Sequence, residues 1–115
     1  MCIFCSIIIG QIPAEIVYED EDVIAILDVN PLTKDHTLVI PKAHYKNLFD
    51  TPPELVAKVA LVAQRLAKDY QKKNEMAGFH LVVNNNSEAY QSVDHLHFHI
   101  IPRYNRDELA YFQKL

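Results

Sequence analysis

The sequence predicts an α+β fold, with about five antiparallel strands, one long helix and a short N-terminal helix. Three observations carry this. Short runs rich in β-branched residues stand on both sides of a single long helical stripe. No strand–helix unit repeats along the chain. Only two glycines are present, Gly10 and Gly78, so neither a Gly-rich dinucleotide-binding turn nor a phosphate loop can be built.

The elements follow in order. Residues 2–10 form a short helix. Residues 15–19 and 22–28 read as two strands, with the acidic cluster Glu19, Asp20, Glu21 and Asp22 as the turn between them. Asn30-Pro31 interrupts the chain, and residues 36–41 form a third strand. Thr51-Pro52-Pro53-Glu54 is a helix start: Thr51 suits the cap, Pro52 the first helical position, and Glu54 completes a capping box. Leu55, Val59, Val62, Leu66 and Tyr70 then recur on one face, which predicts a helix to about Lys73. Residues 78–84 and 95–102 are the fourth and fifth strands, joined by a polar loop long enough to build a site.

The 115 residues suit one domain, residues 1–115, with a core modest enough that a partner subunit would add to it. The net charge is −4 and no basic stripe occurs, which argues against a long nucleic acid as partner. No apolar run approaches the roughly 20 residues needed to cross a membrane. Ile7-Ile8-Ile9 is cut short by Gly10, Gln11 and Pro13, which is not a secretory signal. Both cysteines lie in one C-x-x-C, so a disulfide framework is not expected and the expected location is the cytoplasm.

The chemistry concentrates in His95-Leu96-His97-Phe98-His99. Strand side chains alternate, so three imidazoles face one way while Leu96, Phe98 and Ile100 face the core. Two readings stay open on these residues alone. The histidines can be ligands of a catalytic zinc. Alternatively, one can be a nucleophile whose neighbours hold a phosphate and set its tautomer.

The stretch from Gln91-Ser92-Val93-Asp94 through the three histidines to Ile100-Ile101-Pro102-Arg103 resembles the signature of the histidine-triad family, in particular its Hint-like branch and bacterial members. Leu27-Asp28-Val29-Asn30-Pro31 resembles that family's nucleoside-binding turn. His36-Thr37-Leu38-Val39-Ile40-Pro41-Lys42-Ala43-His44 resembles its following strand, and Leu81-Val82-Val83-Asn84 the strand that enters the phosphate loop. The resemblance spans nearly the whole chain.

It implies a nucleotide hydrolase acting at an α-phosphorus, on nucleoside phosphoramidates or related substrates, with purine nucleotide substrates of the adenosine type and an AMP-type product. His97 would be the nucleophile, its second ring nitrogen tied to a carbonyl at His95. His99 would contact phosphate oxygens and His36 would bond to the triad. Asp28, with Val29 in the same turn, would bind the ribose. Asn84, Gln91 and Ser92 would surround the phosphate, Ser92 also serving the departing amine. The resemblance further implies a structural zinc on Cys2, Cys5, His44 and His95, and a homodimer. A dinucleoside polyphosphate hydrolase and a nucleotide-binding regulator of negligible turnover are the alternatives. One departure is Tyr90, where many relatives carry glycine before the Gln-Ser pair. The C-terminal tail, residues 105–115, lacks the Trp-Pro-Pro-Gly ending of some relatives, and no role is carried over to it.

Overall fold

The computed structural model describes residues 2–106. Its elements run α1 (Ile3–Ile8), β1 (Ile16–Glu19), β2 (Val23–Leu27), β3 (Thr37–Pro41), α2 (Pro53–Asn74), β4 (Gly78–Val82), a 3-10 turn (Ser87–Ala89) and β5 (Phe98–Arg103). The five strands form one sheet in the order β1-β2-β3-β5-β4, and every neighbouring pair is antiparallel. The expected α+β architecture is therefore the one observed.

β2 and β3 are central and buried on both faces, which is why they read as near-continuous apolar runs. Their alternate residues feed two cores. On one face Val23, Ala25 and Val39 pack with Val59, Val62, Ala63 and Leu66 of α2, together with Leu96, Phe98 and Ile100. On the other, Ile24, Ile26, Leu38 and Ile40 pack under Phe4, Ile7 and Ile8 of α1. In the β3–β5 register Leu38 lies opposite His99 and Val39 opposite Phe98. Paired residues share a face, so His97 and His99 emerge on the α1 side, away from the long helix.

The acidic turn folds as expected: Asp20 Oδ1 accepts from the backbone N–H groups of Asp22 and Val23, both at 2.8 Å. The helix start differs. Pro52 occupies the N-cap without a side-chain cap, and Pro53 takes the first helical position. Thr51 does not cap because its hydroxyl donates instead to the Asn47 carbonyl at 2.6 Å. The fifth strand also begins later than expected. Leu96 N–H donates to the Tyr45 carbonyl in the loop after β3, at 2.8 Å, and pairing with β3 starts only at Phe98. The side-chain alternation nevertheless runs unbroken from Leu96 to Ile100, all three apolar members lying in the α2 core.

Candidate functional site

Five histidines form a curved row across the α1 face. Ring centroids are 4.7 Å apart for His44–His95, 4.9 Å for His97–His99 and 5.3 Å for His36–His99. Phe4 bridges the row between His95 and His97. His36, His95 and His97 are buried at 3%, 0% and 4% exposure.

Backbone contacts fix which nitrogen carries the proton in three of the rings, and a side-chain bond extends this to His99. His97 Nδ1 lies 2.8 Å from the His95 carbonyl, which can only accept, so Nδ1 holds the hydrogen and Nε2 keeps its lone pair. His95 Nε2 donates to the Pro41 carbonyl at 2.7 Å, which leaves Nδ1 free to ligate. Leu32 N–H donates to His36 Nδ1 at 3.1 Å, so the His36 proton sits on Nε2. That Nε2 donates to His99 Nδ1 at 3.0 Å, and the proton of His99 is thereby placed on its Nε2.

Burial keeps these rings neutral. Desolvation lowers the pKa of His36, against the pull of the Asp28 carboxylate. Desolvation likewise lowers His97, although its bond to the His95 carbonyl and the Asp28 charge oppose it. His99 is pushed down to about 4, first by burial and then by repulsion from His97 and His36. At neutral pH the row offers an unprotonated nitrogen on His97 beside an N–H donor on His99.

Asp28 closes this end of the row. Its Oδ1 accepts from Asn30 N–H at 2.9 Å, the turn role of an Asp before Asn-Pro, and its Oδ2 lies 3.5 Å from His36 Nε2. Val29, next to it in the chain, is 88% exposed.

At the other end Cys2, Cys5, His44 and His95 converge. Their ligand atoms all lie within 4.8 Å of one another. The separations are 3.2 Å between the two Sγ atoms, 3.1 Å between the two Nδ1 atoms, and 3.3 to 3.6 Å for the four sulfur–nitrogen pairs. Six near-equal edges describe a tetrahedron, and two thiols with two imidazoles are the donor set of a closed structural zinc site. Cys2 Sγ also accepts the Cys5 N–H at 3.2 Å, and the Pro41 carbonyl orients His95, so the ligands have the supporting contacts such a site needs. The residues present therefore fit zinc. The three triad histidines do not form one ligand set: His95 turns to the cysteines, and among the described residues no ligand cluster includes His97.

The polar loop between β4 and β5 lies beside the triad in the chain. Gln91 spans it with every polar atom engaged: Oε1 accepts from Asn86 N–H and Asn47 Nδ2, and Nε2 donates to the carbonyls of Lys46 and Val93. Ser92 is exposed and Asn84 half-buried. Tyr90 is 87% exposed and adopts φ 61°, the left-handed conformation that glycine takes most readily.

The residue missed by sequence reasoning is Asn47. Its side chain is buried, and Nδ2 donates to Asn86 Oδ1 at 2.8 Å and to Gln91 Oε1 at 3.1 Å, while Oδ1 accepts Phe49 N–H at 2.9 Å. The only local signal was an Asn three residues after His44. Its partners lie 39 and 44 residues away.

The comparisons with known proteins agree with this geometry. A HIT domain family model matches residues 9–106. A HIT-like protein of Methanocaldococcus jannaschii is 48% identical over 107 residues, covering 93% of this chain and 82% of that protein. A zinc-bound histidine triad family protein from Mycobacterium smegmatis superposes with a TM-score of 0.90 at 46% identity, covering 94% of this chain and 78% of the other. An adenylylsulfatase of Arabidopsis thaliana is 43% identical over 106 residues, 92% of this chain but 54% of the plant protein. With its histidine row, its sheet order and these relatives taken together, the chain belongs to the histidine triad (HIT) family.

Proposed function

We propose that this protein hydrolyses nucleoside 5′-phosphoramidates or related nucleotidyl substrates, adenosine compounds among them, through a nucleotidyl intermediate on His97. The observation that carries the reading is the pair of fixed tautomers: His97 presents a lone pair at Nε2 while adjacent His99 presents an N–H. In the first step His97 Nε2 forms a bond to the α-phosphorus and the bond to the leaving nitrogen breaks, the amine departing with a proton taken from solvent through the Ser92 hydroxyl. In the second step water attacks the phosphorus and gives its proton back to solvent, the bond from His97 Nε2 to phosphorus breaks, and His97 returns neutral with release of the nucleoside monophosphate. Dividing one displacement into two lowers each barrier.

The surrounding residues take supporting roles. His99 Nε2–H stabilises the charge that develops on the phosphate oxygens, and His36 holds it in that tautomer. Asp28 retains acceptor capacity for a ribose diol, and Val29 lies against the nucleoside. Asn84 and Ser92 stand near the phosphate, with Ser92 serving the leaving amine and Gln91 holding the loop. Zinc on Cys2, Cys5, His44 and His95 would cross-link the N-terminus to the segment that enters β5. The plant relative named an adenylylsulfatase supports a reaction at an adenylyl phosphorus. The reading includes a homodimer, supported by the position of β4 at a sheet edge with Phe79 and Leu81 exposed. No helix of the described residues is long and apolar enough to cross a membrane.

The test is turnover of adenosine 5′-phosphoramidate by wild type and His97→Ala, with zinc chelated and restored. The expected outcome is a loss of at least about 1,000-fold in His97→Ala with AMP binding kept. Tight AMP binding by a wild type that forms no product would replace this reading with that of a nucleotide-binding regulator.

A further inference from the structure

The metal-ligand cluster and the triad are joined by one side chain. Phe4 lies between Cys2 and Cys5 on α1 and is 6% exposed, whereas its neighbour Ile3 is 50% exposed. Its ring packs against His97 with centroids 5.0 Å apart and planes at 73°, and against His95 at 5.9 Å and 80°. His97 also meets His99, at 4.9 Å and 60°.

This packing supplies what the backbone bond cannot. The bond from Nδ1 to the His95 carbonyl anchors one atom of the His97 ring. The ring can still tilt about that anchor, and a tilt swings Nε2 across the ring's width. Phe4 and His99 limit the tilt. Edge-to-face contacts have preferred geometry, so Phe4 restricts orientation as well as filling space.

Resting on the reading that His97 is the nucleophile, we propose that Phe4 is a positioning residue that aims Nε2 of His97 by packing against its ring. Because Phe4 is carried between the two thiols, ordering the Cys2–Cys5 pair on a metal and aligning His97 are one structural event. The metal-ligand cluster thus acts on the reaction through Phe4, without touching substrate.

The test compares wild type, Phe4→Leu and Phe4→Ala, each loaded with zinc and assayed for zinc content and AMP affinity. Turnover of adenosine 5′-phosphoramidate is measured, and NMR relaxation of the imidazole C–H groups reports the order of each histidine ring. Phe4→Ala is expected to lose kcat on the order of 100-fold, the scale of a misplacement of about 1 Å. Phe4→Leu, which preserves bulk, is expected to lose less, and KM stays within about twofold in both. In Phe4→Ala the His97 ring keeps its Nδ1–H but loses order, and zinc-free wild type shows the same loss of order. Retained kcat with zinc bound, or unchanged order of the His97 ring, overturns the proposal. Loss of zinc in parallel with kcat in both variants also overturns it, since Phe4 would then only build the metal centre. A wild type that turns over nothing defeats the hydrolase reading alone, because the order of the His97 ring decides the role of Phe4 without turnover.

Discussion

His36 and His99 share one hydrogen bond, Nε2 to Nδ1 at 3.0 Å, and its direction is set by the Leu32 backbone N–H on the far nitrogen of His36. A main-chain donor thus dictates, through two rings, that His99 carries its proton on Nε2. Asp28 Oδ2 lies 3.5 Å from the same His36 nitrogen and adds a negative charge behind the relay.

Two residues that act through one bond give non-additive losses. His36→Ala and His99→Ala are each expected to lower kcat/KM by about 10- to 100-fold, the scale of a lost donor at developing charge. The double variant is expected to lose no more than the worse single variant by more than about threefold. Strictly multiplied losses would show that His36 acts apart from His99.

The same ring sets a pH dependence of stability. His99 is held near 4 in the folded protein, against about 6.5 in an unfolded chain. Between those values the unfolded state binds more protons, so stability rises with pH. The contribution is complete above about 6.5 and is lost as pH falls toward 4. The groups facing His99 are His97, His36 and Asp28; the two imidazoles push its pKa down and the carboxylate pulls it up. Thermal melts of wild type and His99→Asn between pH 7.5 and 5, at equal zinc content, isolate the contribution of His99. The wild-type Tm is expected to fall more steeply on acidification than that of His99→Asn, and parallel curves would refute the assignment.

Asn47 holds two stretches of chain whose backbone is strained. Asn86 stands at φ 74° and ψ 164°, and Tyr90 at φ 61°. Such conformations persist only where the surroundings over-determine them. Asn47→Ala removes the donor to Asn86 Oδ1 and shares the loss with Gln91 Oε1. Its expected cost is about 2 kcal/mol, from buried groups left without partners, read as a lower urea midpoint. KM is expected to rise more than kcat falls, because the loop, and not the triad, is released.

These cases show what the sequence could and could not disclose. The alternation of His95, Leu96, His97, Phe98 and His99 is written in neighbouring residues, so the division into a chemical face and a core face was legible and is observed. The helical stripe of α2 was legible for the same reason. Thr51 misled because a capping hydroxyl and a hydroxyl bonded to Asn47 four residues back look alike in one dimension. The start of β5 at Phe98 depends on Tyr45 competing for Leu96 N–H, a contact across 51 positions of chain. The ligand set Cys2, Cys5, His44 and His95 came from family resemblance, since spacing alone joins only the cysteines. Asn47 left no local pattern, and a buried amide is defined wholly by distant partners.

Zinc dependence follows from the four-ligand cluster. The protein is expected to bind one zinc per chain, and chelation or Cys5→Ser to lower Tm by at least about 10 °C, because a closed site contributes its binding energy to folding. Metal analysis alongside thermal melts checks this. Equal Tm with and without zinc would show that the core under α1, led by Phe4, Ile24 and Ile40, holds the N-terminus unaided.

Tyr90 gives a test of backbone strain at an exposed position. Its side chain is 87% exposed, so replacement removes little packing, while its φ of 61° places a bulky residue in the left-handed region. That conformation costs an L-residue roughly 1–2 kcal/mol. Glycine would relieve it but would add roughly 0.5–1 kcal/mol of unfolded-state entropy. The difference favours Tyr90→Gly by about 0.5–1 kcal/mol, a rise of a few degrees in Tm. Tyr90→Val, β-branched and intolerant of positive φ, is expected to destabilise by more than the glycine stabilises. Turnover of a small phosphoramidate is expected to stay within about twofold in Tyr90→Gly, since the loop already follows the course glycine would take. A large gain in turnover would mean that the exposed ring itself obstructs the site. A fall in Tm would mean that the left-handed turn is held by the tyrosine ring, against its 87% exposure.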